Sequence, residues 1–303
     1  MSAPLTQRVL AWRAAGSMVA VDGRQIFVRR REGDGPLLLF LHGFPSSSYD
    51  WRAVLPLLAG RATLTLDFLG FGLSDKPRDC LYSLFGQADI VERLVGGEAR
   101  PVIVVAHDMG TSVATELLAR DLEGTLGFDV GGVLLLNGGM IVERASLTWA
   151  QQALRSPLGP LAARLSNRSL FVSQFGRLFS EVHPLTAAEA EDQWTLWRRA
   201  GGAHRAHRLI HYVDERLTYA PRWHGAIRDW PGPMQFAWGM RDPVATPNVL
   251  DGLRELRPTA PVRELAGLGH YPQIEEPATI AAVLQEVLSA AADQGTIPTP
   301  GGR

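Results

Sequence analysis

One acidic residue stands where an apolar run gives way to a helical pattern. The stretch Val104-Val105-Ala106-His107-Asp108-Met109-Gly110-Thr111-Ser112-Val113-Ala114 reads as strand, sharp turn and helix, with Ala106 and Gly110 flanking Asp108 two positions to either side. Small flanks let the chain fold back and leave the central side chain exposed at the turn. A carboxylate in the first turn of a helix lies in the favourable field of the helix N-terminus, so it needs no base to make it a nucleophile. Attack on an ordinary ester would give an anhydride that reverts. Attack on a saturated carbon, as in an epoxide or an alkyl halide, gives an enzyme-bound ester that water must then cleave. That cleavage requires a histidine to activate the water and an acid to orient the histidine and stabilise its charged form. Trp238-Gly239-Met240-Arg241-Asp242-Pro243 and Gly267-Leu268-Gly269-His270-Tyr271-Pro272 each follow a strand-like run. Alone, Asp242 reads as a turn residue and His270 as a loop histidine; the order nucleophile, acid, histidine selects them for catalysis.

The elements that must position these groups alternate. Short β runs at 18–21 and 25–30 surround Asp22-Gly23 and predict an antiparallel hairpin. The apolar run at 36–41 suits a strand covered on both faces, and Ser46 to Ser48 offer N-caps to a helix with Trp51, Val54, Leu55 and Leu58 on one face. Strands at 62–66, 102–105 and 132–136 then alternate with helices at 83–95 and after Asp108. This pattern predicts a mostly parallel, doubly wound α/β sheet with functional groups at the carboxyl ends of its strands. Strand signals vanish from 140 to 222, which reads as a helical insertion after the sixth strand, and return at 234–238 and 262–265. The expected organisation is a core part at 1–139, a helical cap at 140–222 and a second core part at 223–303, with a flexible Pro- and Gly-containing tail from 295.

Composition narrows the chemistry. At 303 residues, 46% hydrophobic and 20% charged, with a formal net charge of −1, the chain has a globular composition and no basic footprint for nucleic acid. Cys80 is the single cysteine, so no internal disulfide forms, in keeping with a reducing compartment. No apolar stretch is long enough to span a membrane and no signal segment opens the chain; a soluble, cytoplasmic protein is expected. Gly70-Phe71-Gly72 lacks the rest of a nucleotide fingerprint, and His204, His207 and His211 lack the partners of a metal set, so neither cofactor nor metal is expected.

His42-Gly43-Phe44-Pro45 resembles the HGxP oxyanion loop, and His107-Asp108-Met109-Gly110 the nucleophile turn, of the epoxide hydrolases and haloalkane dehalogenases within the α/β-hydrolase superfamily. The whole chain follows their order. Asp67-Phe-Leu-Gly-Phe-Gly-Leu-Ser-Asp-Lys-Pro77, Asn137-Gly138-Gly139, Tyr212-Val-Asp-Glu-Arg216 and His270-Tyr-Pro-Gln273 together resemble the mesoderm-specific transcript-like, epoxide-hydrolase-like branch. The resemblance implies an α/β-hydrolase fold and an oxyanion hole from the backbone N–H groups of Phe44 and Met109. It implies a cap tyrosine as the ring-opening acid, for which Tyr212 is the candidate and Tyr219 the alternative. No tyrosine lies between Tyr82 and Tyr212, so the usual second tyrosine has no equivalent and His183 is a substitute. Dehalogenases hold halide with N–H groups of a Trp just after the nucleophile and of an Asn or second Trp elsewhere, where this chain has Met109 and Phe44, whose side chains donate no hydrogen bond; Trp194 or Trp197 could serve from the cap, and with His183 and Tyr219 they are the candidate substrate-pocket residues. The expectation is an epoxide hydrolase acting with water on a small apolar substrate, forming a vicinal diol. A haloalkane dehalogenase is the alternative enzyme, and a ligand-binding pseudoenzyme the alternative class.

Overall fold

Leu37, Leu38, Leu39, Phe40 and Leu41 have no solvent exposure at all, a state open to consecutive side chains only in a strand covered on both faces. A computed structural model, which describes residues 4–298, places this strand at the centre of the molecule. Its sheet comprises β1 (Ser17–Val21), β2 (Arg24–Arg31), β3 (Asp34–Leu41), β4 (Arg61–Leu66), β5 (Val102–His107), β6 (Val130–Leu136), β7 (Met234–Gly239) and β8 (Val262–Leu265). The spatial order is β1-β2-β4-β3-β5-β6-β7-β8. β1 and β2 form the antiparallel hairpin, β2 joins β4 antiparallel, and every later pairing is parallel. The parallel strands therefore deliver the ends of β5, β7 and β8 to one edge.

Helices α2 (Leu84–Val95), α3 (Met109–Leu122), α11 (Pro247–Leu256) and α13 (Pro277–Asp293) alternate with the strands, after the N-terminal α1 (Gln7–Ala14). The helix expected around Trp51 is instead a pair of 3-10 turns, Ser48–Trp51 and Leu55–Leu58. Pro56 lacks an N–H and cannot sit inside a continuous α-helix, yet Trp51, Val54, Leu55 and Leu58 are buried as the pattern requires.

Between β6 and β7 the chain is helical: α4 (Trp149–Arg155), α5 (Gly159–Leu165), α6 (Arg168–Gly176), α7 (Ala187–Arg198), α8 (Ala206–Leu209), α9 (Tyr212–Thr218) and α10 (Ala220–Asp229). The helical run thus outlasts residue 222. Its last helix returns to the sheet layer, where Trp223 Nε1 and Arg222 Nε donate to Glu116 of α3 at 2.9 and 2.7 Å. The short helix α12 (Pro272–Glu275) precedes α13. The expected flexible tail is partly fixed: Thr296 Oγ1 donates to the Gly131 carbonyl at 2.6 Å and Ile297 is buried, while 299–303 lie outside the described residues. Among the described residues, no helix is long and apolar enough to cross a membrane.

Candidate active site

β5 ends at His107 and α3 begins at Met109, leaving Asp108 alone to reverse the chain at φ 45° and ψ −111°. A non-glycine residue held there is strained, and such strain persists only when its surroundings over-determine it. They do. The Asp108 carbonyl accepts from Thr111 N at 3.1 Å, Thr111 Oγ1 at 2.6 Å and Arg216 Nη2 at 2.7 Å. A Cβ on Gly110 would stand 2.7 Å from the His42 carbonyl oxygen, and one on Gly43 2.6 Å from the Asp108 Cβ. Only glycine lets these two loops meet.

The meeting fixes the carboxylate. Phe44 N donates to Asp108 Oδ2 at 2.9 Å, while Oδ1 faces Arg216 Nη2 at 3.6 Å. Met109 follows directly, and its backbone N–H belongs to the first turn of α3, where amides have no intrahelical acceptor. The Phe44 loop is held from behind by His42, whose Nε2 accepts from Phe68 N at 2.9 Å and whose Nδ1 donates to the Gly43 carbonyl at 2.8 Å. Burial pushes this imidazole down to about 4, so it stays neutral and keeps both roles.

His270 and Asp242 meet at the next two strand ends. His270 Nδ1 lies 2.7 Å from Asp242 Oδ2, which also accepts from Asn137 Nδ2 at 2.7 Å. Oδ1 accepts from the backbone N–H groups of Val244 and Ala245 at 2.7 and 3.0 Å. Burial of the His270 ring opposes its charged form, but the charge and hydrogen bond of Asp242, aided by Asp108, outweigh that penalty and raise its pKa. The His270 backbone is clamped from both sides: its N–H donates to the Leu178 carbonyl at 2.8 Å, and its carbonyl oxygen accepts from His107 Nε2 at 2.7 Å. Burial drives the His107 pKa well below normal, consistent with a neutral donor.

A cavity of about 290 Å³ meets this site at Phe44 and His270, with Leu154, Phe171, Leu178 and Trp197 among its other walls; Asp108, Met109 and Tyr212 are not among its lining residues. The Phe44 ring meets Trp197 edge-on at 5.5 Å and Tyr212 at 6.0 Å. Tyr212 is buried, and burial, with the Asp108 charge, raises its phenol well above the ordinary range; it remains protonated and able to donate. Tyr219, Trp194 and His183 do not line the cavity either. Tyr219 is 40% exposed and packs on Phe85 and Trp223 outside the cavity. Trp194 packs tilted against Phe171 at 5.4 Å, and His183 sits half-buried in the loop before α7, away from the lining. Of the four pocket candidates, Trp197 lines this cavity and Trp194, His183 and Tyr219 do not. His211 pairs with Asp214 at 2.6 Å, and among the described residues no cluster of His, Cys, Asp and Glu could hold a metal ion.

Asn137, His107 and Arg216 were not singled out by their residue types. All three fall inside motifs that resemble the family's, and Asn137 adopts φ 43°, but only their distant partners reveal what they touch.

A model of the alpha/beta hydrolase family matches residues 38–283. The chain belongs to that family. This hydrolase is 57% identical over 274 residues to LipZ of Mycobacterium tuberculosis, a protein named as a hydrolase, covering 90% of this chain and 95% of LipZ. It is 34% identical over 286 residues to the mouse mesoderm-specific transcript protein, covering 90% of this chain and 85% of the relative. The haloalkane dehalogenase DbeA of Bradyrhizobium elkani superposes with a TM-score of 0.76 at 24% identity, over 92% of this chain and 99% of DbeA. That likeness speaks for the fold alone.

Proposed function

We propose that this hydrolase opens epoxides to vicinal diols through a covalent alkyl-enzyme ester on Asp108, with residues 140–222 acting as a cap over the site. The observation that carries the reading is the carboxylate itself: an aspartate at a positive-φ strand-to-helix elbow, with Oδ2 on the Phe44 N–H and Oδ1 without a hydrogen bond, 3.6 Å from Arg216 Nη2. In the first step Oδ1 attacks a ring carbon, the carbon–oxygen ring bond breaks, and Tyr212 protonates the departing oxygen. In the second step His270, oriented by Asp242, takes a proton from water as the water oxygen adds to Cγ of Asp108. The N–H groups of Phe44 and Met109 receive the oxyanion on Oδ2; the Cγ–Oδ1 bond then breaks, His270 protonates Oδ1 as the diol leaves, and the second water proton returns to Tyr212. A chiefly apolar cavity above His270 suits a neutral organic substrate.

Two measurements test the sequence of bonds. A single turnover in isotopically heavy water places the label in Asp108 and leaves the diol's new oxygen unlabelled; label in that hydroxyl rejects the carboxylate nucleophile. His270→Gln accumulates the ester, seen as added mass on the intact protein. Haloalkane dehalogenation is the second reading, favoured by Trp197, whose indole stands in the cavity wall against Phe44. Halide release from short haloalkanes, assayed beside diol formation from styrene oxide, separates the two.

A further inference from the structure

Arg216 carries a permanent positive charge into the buried centre of the site, where it is 4% exposed. Its Nη2 donates to the Asp108 carbonyl at 2.7 Å, its Nε donates to Ser112 Oγ at 2.7 Å, and its guanidinium covers the Tyr212 ring at 4.6 Å. These contacts hold the cation on the elbow. Among the described residues, Asp108 supplies the only carboxylate within ion-pair reach, through Oδ1 at 3.6 Å. That is the oxygen Phe44 does not hold.

We propose that Arg216 divides the two half-reactions, speeding hydrolysis of the Asp108 ester at some cost to its formation. The inference rests on the covalent-ester reading above. When Oδ1 bonds to substrate carbon, Asp108 becomes a neutral ester, the negative charge passes to the Tyr212 phenolate, and Arg216 loses its counter-charge at Oδ1. Arg216 is held on the elbow by its hydrogen bonds, with the face and not the oxygen of Tyr212 against it, and a buried cation parted from its partner carboxylate is disfavoured, so Arg216 stabilises the resting carboxylate relative to the ester. In hydrolysis the balance reverses. The water oxygen bonds to Cγ, its proton passes to His270, and negative charge appears on Oδ2. The Cγ–Oδ1 bond then breaks; Oδ1 leaves with the alkyl group, takes the proton back from His270, and becomes the new hydroxyl of the product. The second water proton passes from the Asp108 carboxyl to the Tyr212 phenolate, which leaves Asp108 as a carboxylate built from Oδ2 and the water oxygen. Charge developing on the departing Oδ1 faces a cation already fixed by two hydrogen bonds, which acts without reorganisation and with little solvent screening.

The test compares Arg216→Met and Arg216→Lys with the wild type, using the full chain and styrene oxide. Rapid quench with intact-mass detection reads ester formation in a single turnover, ester decay, and the fraction of enzyme held as ester in steady state. The expected result is ester decay at least tenfold slower in Arg216→Met, formation unchanged or faster, a raised steady-state ester fraction, and KM falling together with kcat. Arg216→Lys keeps the charge and recovers most of the decay rate. Should circular dichroism show Arg216→Met unfolded, Arg216→Gln replaces it as the neutral variant. Equal losses in formation and decay, with no recovery by lysine, make Arg216 a brace for the elbow and overturn the inference, as does decay at the wild-type rate. His270→Gln separates this from the underlying reading: an adduct on His270→Gln with normal decay in Arg216→Met overturns the inference alone, and no adduct on His270→Gln removes both.

Discussion

Asp242 accepts four hydrogen bonds within one buried corner, from Asn137, Val244, Ala245 and His270. A few residues away, the cavity wall is built from Leu154, Phe171, Leu178 and Trp197, which meet the interior through surface contact. The two regions share His270 but answer to different physics. In the corner both Asp242 oxygens have assigned partners, and removing one leaves another buried and unsatisfied. In the wall, apolar contact is non-directional, so a change of volume shifts fit without disturbing the reacting atoms. Substitutions in the corner should therefore act on kcat, and those in the wall on KM and substrate preference.

The largest expected effect is that of Asp108→Ala, which should lower diol formation by more than about 10⁴-fold, as loss of a nucleophile does elsewhere. Substrate binding in the cavity should persist in this variant, measurable by quenching of tryptophan fluorescence; equal loss of binding would erase the distinction between the regions. Asp242→Asn should reduce kcat by roughly 10²- to 10⁴-fold. It should also move the pH profile. Asp242 raises the His270 pKa above its ordinary 6.5, and ester hydrolysis needs the neutral ring, so wild-type activity should fall as pH drops through that raised value. With Asp242 neutralised, burial dominates, and the residual acid limb should move to lower pH. A limb that stays in place would assign the titration to another group. The smallest effect belongs to the wall: Leu154→Ala should change the preference between small and bulky epoxides by about 1–3 kcal/mol and leave kcat on small substrates within a few-fold, read from kcat and KM across a substrate series.

How much of this arrangement was legible beforehand differs from residue to residue. Asp108, Asp242 and His270 each follow a strand-like run and sit among turn residues, so their placement at strand ends could be argued within windows of about ten residues. Tyr212 and Tyr219 show where such windows fail. Seven residues apart on one unbroken helix, they would share a face. The chain instead ends α9 at Thr218 and starts α10 at Ala220, so Tyr212 turns inward to Phe44 and Tyr219 outward to Phe85. Arg216 is hidden more deeply. An arginine in a polar helical stretch reads as a solvated side chain, and its burial follows from α9 lying against an elbow 108 residues earlier in the chain. Asn137 likewise acts on a carboxylate 105 residues away.

The order of strands and helices, the elbow at Asp108 and the positions of Asp108, Asp242 and His270 at strand ends were encoded in the chain, because backbone sterics, turn chemistry and hydrophobic period act over a few neighbouring residues. Packing settled which side chains surround those groups: Arg216 against Oδ1, Asn137 on Asp242, Trp197 in the wall and Trp194 behind Phe171. Those pairings depend on how helices from the segment between β6 and β7 seat on the sheet. The free energy of seating is a sum over many non-directional contacts, and no short stretch of the chain carries it.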